Sequence, residues 1–173
     1  MRGERAFRIA ALFLLILSGC AAPQVLSTPS GRPEVTIRGA KKKAVTDALV
    51  SRLLAKGWVI KTVNEYQLIF ERDAEGAAGF LLSSRYDPTV KVRMSFALVD
   101  ESAGVHVTGR ADYVTNPGSA FERLTDATVG QSAVNIQDSL EQVRNLLELA
   151  AGYPPAPSST APRPRAATSP PFE

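Results

Sequence analysis

The sequence predicts an α+β domain, a single antiparallel sheet of about six strands with two helices packed on one face, in the order β-α-β-β-β-β-β-α. Three observations carry this. Stretches 40–56 and 130–150 place apolar residues at helical spacing, and the segments between them are short runs of β-formers. The two strongest runs alternate in polarity and are joined through the turn Asp100-Glu101-Ser102-Ala103-Gly104.

Each element follows in chain order. Val35-Thr36-Ile37 is a short strand. The first helix carries Val45, Ala48, Leu49 and Leu53 on one stripe and stops at Gly57, a residue suited to the left-handed position after a helix. Segments 58–63 and 67–72, separated by Asn64-Glu65-Tyr66, read as a hairpin. A further strand is expected over 80–84, before the turn at Tyr86-Asp87-Pro88. The strongest strands are 90–99 and 105–114. In the first of these Val90, Val92, Met94, Phe96 and Leu98 alternate with Lys91, Arg93, Ser95, Ala97 and Val99, which gives one core face and one partly wet face. After Asn116-Pro117-Gly118, a connecting segment with Phe121 and Leu124 leads to the second helix. Its stripe is Ala133, Ile136, Leu140, Val143 and Leu147, and Gly152 and Pro154 stop it. At roughly 1.5 Å per residue it is about 30 Å long, enough to lie across a whole sheet as the main core partner.

The 173 residues suffice for one domain of ordinary size. Residues 1–19 read as a secretory leader: Arg2, Arg5 and Arg8, then an apolar run from Ile9 to Leu17 too short to span a bilayer. The run ends in Leu17-Ser18-Gly19-Cys20, and these four positions resemble the lipobox of bacterial lipoprotein precursors. That resemblance implies a diacylglyceryl group on the Cys20 sulfur, cleavage before Cys20 and acylation of the new amino group. Each buried methylene is worth about 0.8 kcal/mol, so several acyl chains hold a domain at a bilayer without a transmembrane helix. The alternative is a secreted protein with an incidental cysteine, or an uncleaved amino-terminal anchor. Many lipoproteins retained at the inner membrane have Asp after the cysteine. Ala21-Ala22 here implies the outer membrane, with the domain facing the periplasm. Residues 20–33 then form the acylated cysteine and a flexible tether, 34–152 the domain, and 153–173 a disordered tail with seven prolines. At the level of element order, 34–150 resembles the TBP-like or helix-grip arrangement of the C subunit of the outer-membrane β-barrel assembly machine and other small envelope lipoproteins.

Charge and composition exclude several classes. The chain has 20 Lys+Arg against 17 Asp+Glu, and loss of Arg2, Arg5, Arg8 and Glu4 with the leader leaves 17 against 16. A net of +1 gives no bulk electrostatic case for nucleic acid as a partner. One Cys and one His exclude a disulfide framework and a tetrahedral zinc set. No cofactor is expected beyond the covalent lipid. His106 lacks a nucleophile in any recognisable motif and reads as a solvated strand residue. Paired acids such as Glu71/Asp73 and Asp100/Glu101 sit at strand ends or in a turn, and Gly76-Ala77-Ala78-Gly79 matches no nucleotide fingerprint.

Two groups of cations remain as candidate anion or partner sites. Lys41, Lys42 and Lys43 lie in the first turn of the first helix, where cations oppose the helix dipole, and Arg38 is beside them. Lys91, Arg93 and Arg110, with Thr108, fall on the polar sheet face. Both groups read equally as solvated surface, the second with Asp112 and Glu71 as counter-charges. The expected function is that of a non-catalytic envelope lipoprotein, a membrane-tethered binding or assembly module for another envelope protein or an anionic surface polymer. The alternative is a carrier of a small apolar ligand between helix and sheet, marked by a cavity of several hundred cubic ångströms, and an envelope hydrolase stands behind it.

Overall fold

The computed structural model describes residues 26–76, 82 and 89–154. Within them the β-forming runs assemble into one antiparallel sheet of six strands, and two helices pack on one face of it. The strands are β1 (Glu34–Arg38), β2 (Val59–Val63), β3 (Gln67–Asp73), β4 (Lys91–Glu101), β5 (Gly104–Thr115) and β6 (Arg123–Asp126), and the helices are α1 (Lys42–Ala55) and α2 (Gln131–Ala150). The order across the sheet is β1-β5-β4-β3-β2, and β6 pairs with β5 at Asp112–Thr115, beyond the stretch of β5 that β1 occupies.

The element order matches the expected one, but a different segment supplies one strand. Of the strand expected over 80–84 only Leu82 is described, and it is helical. The sixth strand is β6, inside the segment read as a connection. The leader, Cys20, the first part of the tether and residues 155–173 of the tail lie outside the described residues.

The two-residue periodicity sets the core. Paired positions share a face, so Leu68, Phe96 and Gly109 point one way while Ile69, Ser95 and Arg110 point the other. The first face is covered by Val45, Leu49 and Leu53 of α1 and by Ile136, Leu140 and Val143 of α2. Phe70 and Phe96 meet edge to face at its centre, with ring centroids 6.3 Å apart. Trp58 and Phe96 are both core residues. Helix α1 ends as its sequence requires: Lys56 caps it, and Gly57 takes φ +78°. Close approach of α2 to β5 depends on Gly109, where a Cβ would overlap Cγ2 of Ile136.

The second helix does more than bury its apolar stripe. Gln137, Glu141 and Glu148 are also buried, with Gln137 and Glu148 each 1% exposed. Gln137 Oε1 accepts the Glu34 N–H at 2.8 Å, and its Nε2 donates to the Glu34 carbonyl at 3.2 Å and to Glu141 Oε1 at 3.1 Å. Glu148 Oε1 accepts the Arg38 N–H at 3.0 Å. Side chains of α2 thus satisfy backbone groups along the free edge of β1, which a sheet otherwise leaves open. The spacing follows from geometry: eleven residues of helix advance about 16 Å, and four residues of strand about 13 Å. The helix therefore runs alongside β1 and reaches both of its ends.

Candidate functional site

Because α2 is held at the β1 edge and α1 ends at Ala55, the helices leave part of the sheet face they pack on uncovered. Phe96, Leu98, Val105 and Val107 are fully buried there, while Val92, Met94 and Tyr113 on the same face are only half-buried. Beside them is a half-open cleft of about 630 Å³. Leu53, Trp58, Val92, Met94, Tyr113 and Ile136 form its apolar lining. Its polar residues include Lys56, Arg72, Glu75, Asn135, Asp138, Ser139 and Gln142. This volume lies within the range of small-molecule sites, and the lining is mixed, with half of its sixteen residues apolar and half polar or charged.

Two contacts between the helices brace the cleft. Arg52 donates to Gln142 Oε1, and Lys56 Nζ donates to Ser139 Oγ at 3.2 Å. Burial, together with nearby Arg52, pushes the Lys56 ammonium below the ordinary lysine range, and Asp138 only partly opposes this. On the sheet side, the Arg72 guanidinium stacks over the Trp58 ring at 4.7 Å.

The cations singled out in the sequence lie elsewhere, and most are joined to the protein's own carboxylates. Arg38 binds Glu148 through both Nε and a terminal nitrogen, at 3.0 and 2.9 Å, and its guanidinium lies 4.9 Å over the Tyr153 ring. Hydrogen bonding from Arg38 holds the Glu148 carboxyl below the usual carboxylate range, against the opposing effect of burial. Lys41 is the N-cap of α1 and makes no side-chain capping bond. Lys42 pairs with Asp100 at 3.1 Å and sits 4.4 Å over Tyr66, and Lys43 pairs with Asp47 at 2.7 Å. No acidic residue occupies the first turn of α1.

Lys91, Arg93, Thr108 and Arg110 do share the sheet face away from the helices, but they differ in what they meet. Arg110 forms an ion pair with Asp112 at 2.6 Å. Arg93 is 8% exposed, so the expected wet face is dry at this point. The physical reason is the 116–122 loop. Asn116 turns at φ +52°, the Gly118 N–H bonds Glu122 Oε2 at 2.9 Å, and Glu122 is brought to 2.7 Å from Arg93. Glu71 and Lys61 complete a network of alternating charge, with Glu71 2.6 Å from Arg93 and 2.8 Å from Lys61. Burial works to raise the Glu71 carboxyl, but hydrogen bonds from Lys61 and Arg93 outweigh it and the net shift is downward.

His106 is better connected than its sequence suggests. Its Nδ1 is 3.0 Å from Thr36 Oγ1, and its Nε2 is 3.6 Å from Glu34 Oε2. Thr36 lies directly opposite His106 in the β1–β5 ladder, so this is a cross-strand pair between elements 70 residues apart in the chain. Among the described residues, no group of three His, Cys, Asp or Glu side chains is placed to hold a metal ion.

Sequence reasoning missed the cleft residues Lys56, Arg72, Asp138 and Ser139. Their signal was faint: polar residues at the end of one helix, at the end of one strand and along a second helix, with nothing local to join them. Compared with known proteins, the chain matches no family model and no curated protein.

Proposed function

We propose that this chain is a non-catalytic lipoprotein of the bacterial cell envelope, anchored at the outer membrane through a lipid on Cys20 and facing the periplasm, whose domain binds a small, largely apolar ligand. The observation that carries the binding reading is the cleft of about 630 Å³ between the helix pair and the sheet. The anchor rests on the leader and on Leu17-Ser18-Gly19-Cys20. No described helix is long and apolar enough to cross a membrane. The long helix over an antiparallel sheet is in keeping with the TBP-like or helix-grip arrangement.

Metabolic labelling with a radioactive fatty acid tests the anchor. Label is expected on the wild-type chain and absent from Cys20→Ala, and equal labelling of the two removes the lipoprotein reading. The uncharged dye Nile red tests the cleft. Saturable uptake of one dye per chain is expected, weakened at least about tenfold by Asn135→Trp, which places an indole at the cleft lining, with the melting temperature unchanged. A full chain that takes up no dye defeats the ligand reading.

One observation favours a second reading, a docking module for another envelope protein. Phe121 is 81% exposed next to Glu122, and Val59 and Val63 on the outer strand β2 are also exposed. Exposed apolar groups beside an ordered charge network suit a protein partner better than an anionic polymer, because Arg93, Arg110 and Lys61 already hold carboxylates.

A further inference from the structure

Among the described residues the cations divide into those held by a carboxylate and those, such as Lys41, Arg52, Lys91 and Arg123, that are not, and two of the second kind line the cleft. Arg38, Lys42, Lys43, Lys61, Arg93 and Arg110 each have a carboxylate within ion-pair distance. Lys56 and Arg72, which both line the cleft, form no ion pair among the described residues. Two acids, Glu75 and Asp138, line the same cleft, yet neither is ion-paired with either cation.

We propose that the cleft selects amphiphiles whose apolar chain ends in a single carboxylate, with that head held by Arg72 and Lys56. This rests on the ligand-binding reading above and assigns the ligand's chemical class. The Trp58 ring occupies the flat face of the Arg72 guanidinium, which leaves its edge donors to grip a carboxylate. Lys56 has three donors and gives one to Ser139. Both cations are exposed at the half-open cleft, and a wholly apolar occupant would displace part of their water and return nothing for the lost hydration. A carboxylate restores the missing charge where water has been displaced. A second negative charge on the head would be repelled by Glu75 and Asp138, so a monoanion fits better than a dianion. The apolar lining from Leu53 to Met94 takes the chain.

The test compares dodecanoate with dodecanol by calorimetric titration of the full chain, in the wild type and in the double variant Lys56→Gln/Arg72→Gln. Dodecanoate is expected to bind the wild type at least about tenfold more tightly than dodecanol, as charge-assisted hydrogen bonds require. The double variant should lose that preference and bind dodecanoate no more tightly than dodecanol, and an unchanged melting temperature reports that its fold is intact. Equal binding of the two probes by the wild type, or a preference that survives in the double variant, overturns the head-group assignment and leaves the cleft standing. Failure of both probes to bind the wild type defeats the cleft reading and this assignment with it. Should the double variant bind neither probe, the wild-type comparison decides.

Discussion

Gly109→Ala is expected to destabilise the domain by about 1–3 kcal/mol, the usual cost of forcing an extra methyl into a packed interior. Gly109 lies on β5 opposite Phe96 and under α2, and a Cβ there would overlap Cγ2 of Ile136 and come within 3.4 Å of the Phe96 ring. Neither neighbour yields easily. Ile136 is β-branched on a helix and held to one preferred rotamer, and Phe96 is fixed by its contact with Phe70. The remaining route is for α2 to lift, which would stretch its bonds to β1. Denaturant titration of the wild type, Gly109→Ala, Ile136→Ala and the double variant measures the coupling. The glycine substitution should cost markedly less once Ile136 is shortened, and strict additivity would show that the close approach is unimportant.

Gln137→Leu is expected to cost about 2–3 kcal/mol, because it keeps the side-chain bulk and removes three hydrogen bonds from a buried seam. The amide of Gln137 holds both the N–H and the carbonyl of Glu34, and it donates to Glu141 as well. None of these groups gains an equivalent partner in leucine. Hydrogen exchange provides the check: the β1 amides should lose protection well before those of β3 and β4. Uniform loss across the sheet would instead mean that β1 is not a separately stabilised edge. Acidification should act on the same seam through Glu148. Its folded carboxyl titrates below its unfolded value near 4.5, so the stability it contributes is present above that pH and is lost as pH falls through the folded value.

Much of this architecture was legible in the sequence, for physical reasons that also explain the failures. The stripes Val45, Leu49, Leu53 and Ile136, Leu140, Val143 follow the helical period and are buried as read. The alternation in β4 correctly separated Phe96 and Leu98 from Ala97 and Val99. By contrast, β6 is the sequence Arg-Leu-Thr-Asp, exposed at every position, and it is a strand only because β5 offers it a ladder. Gln137, Glu141 and Glu148 lie off the apolar stripe that marks α2 in the sequence, and nothing within α2 reveals that a strand edge lies against them. Arg93 read as solvated because the loop that brings Glu122 over it is 29 residues further along the chain. The cleft was illegible for a related reason. Val92 and Met94 have the pattern of core residues, and their partial exposure depends on the lateral position of α2, which is set by its bonds to β1.

The Arg38–Glu148 clasp has a mechanical corollary. Arg38 also donates to the Pro154 carbonyl at 3.2 Å, so the outgoing chain is fastened at the far end of the strand where the incoming chain arrives. Were Cys20 acylated as proposed and the proline-rich tail gripped by another envelope component, tension between the two would be borne first by β1, the clasp and the end of α2. The cleft, floored by β3, β4 and β5, would lie to one side of that load path, so the protein could serve as a strained link in the envelope while its binding chamber kept its shape.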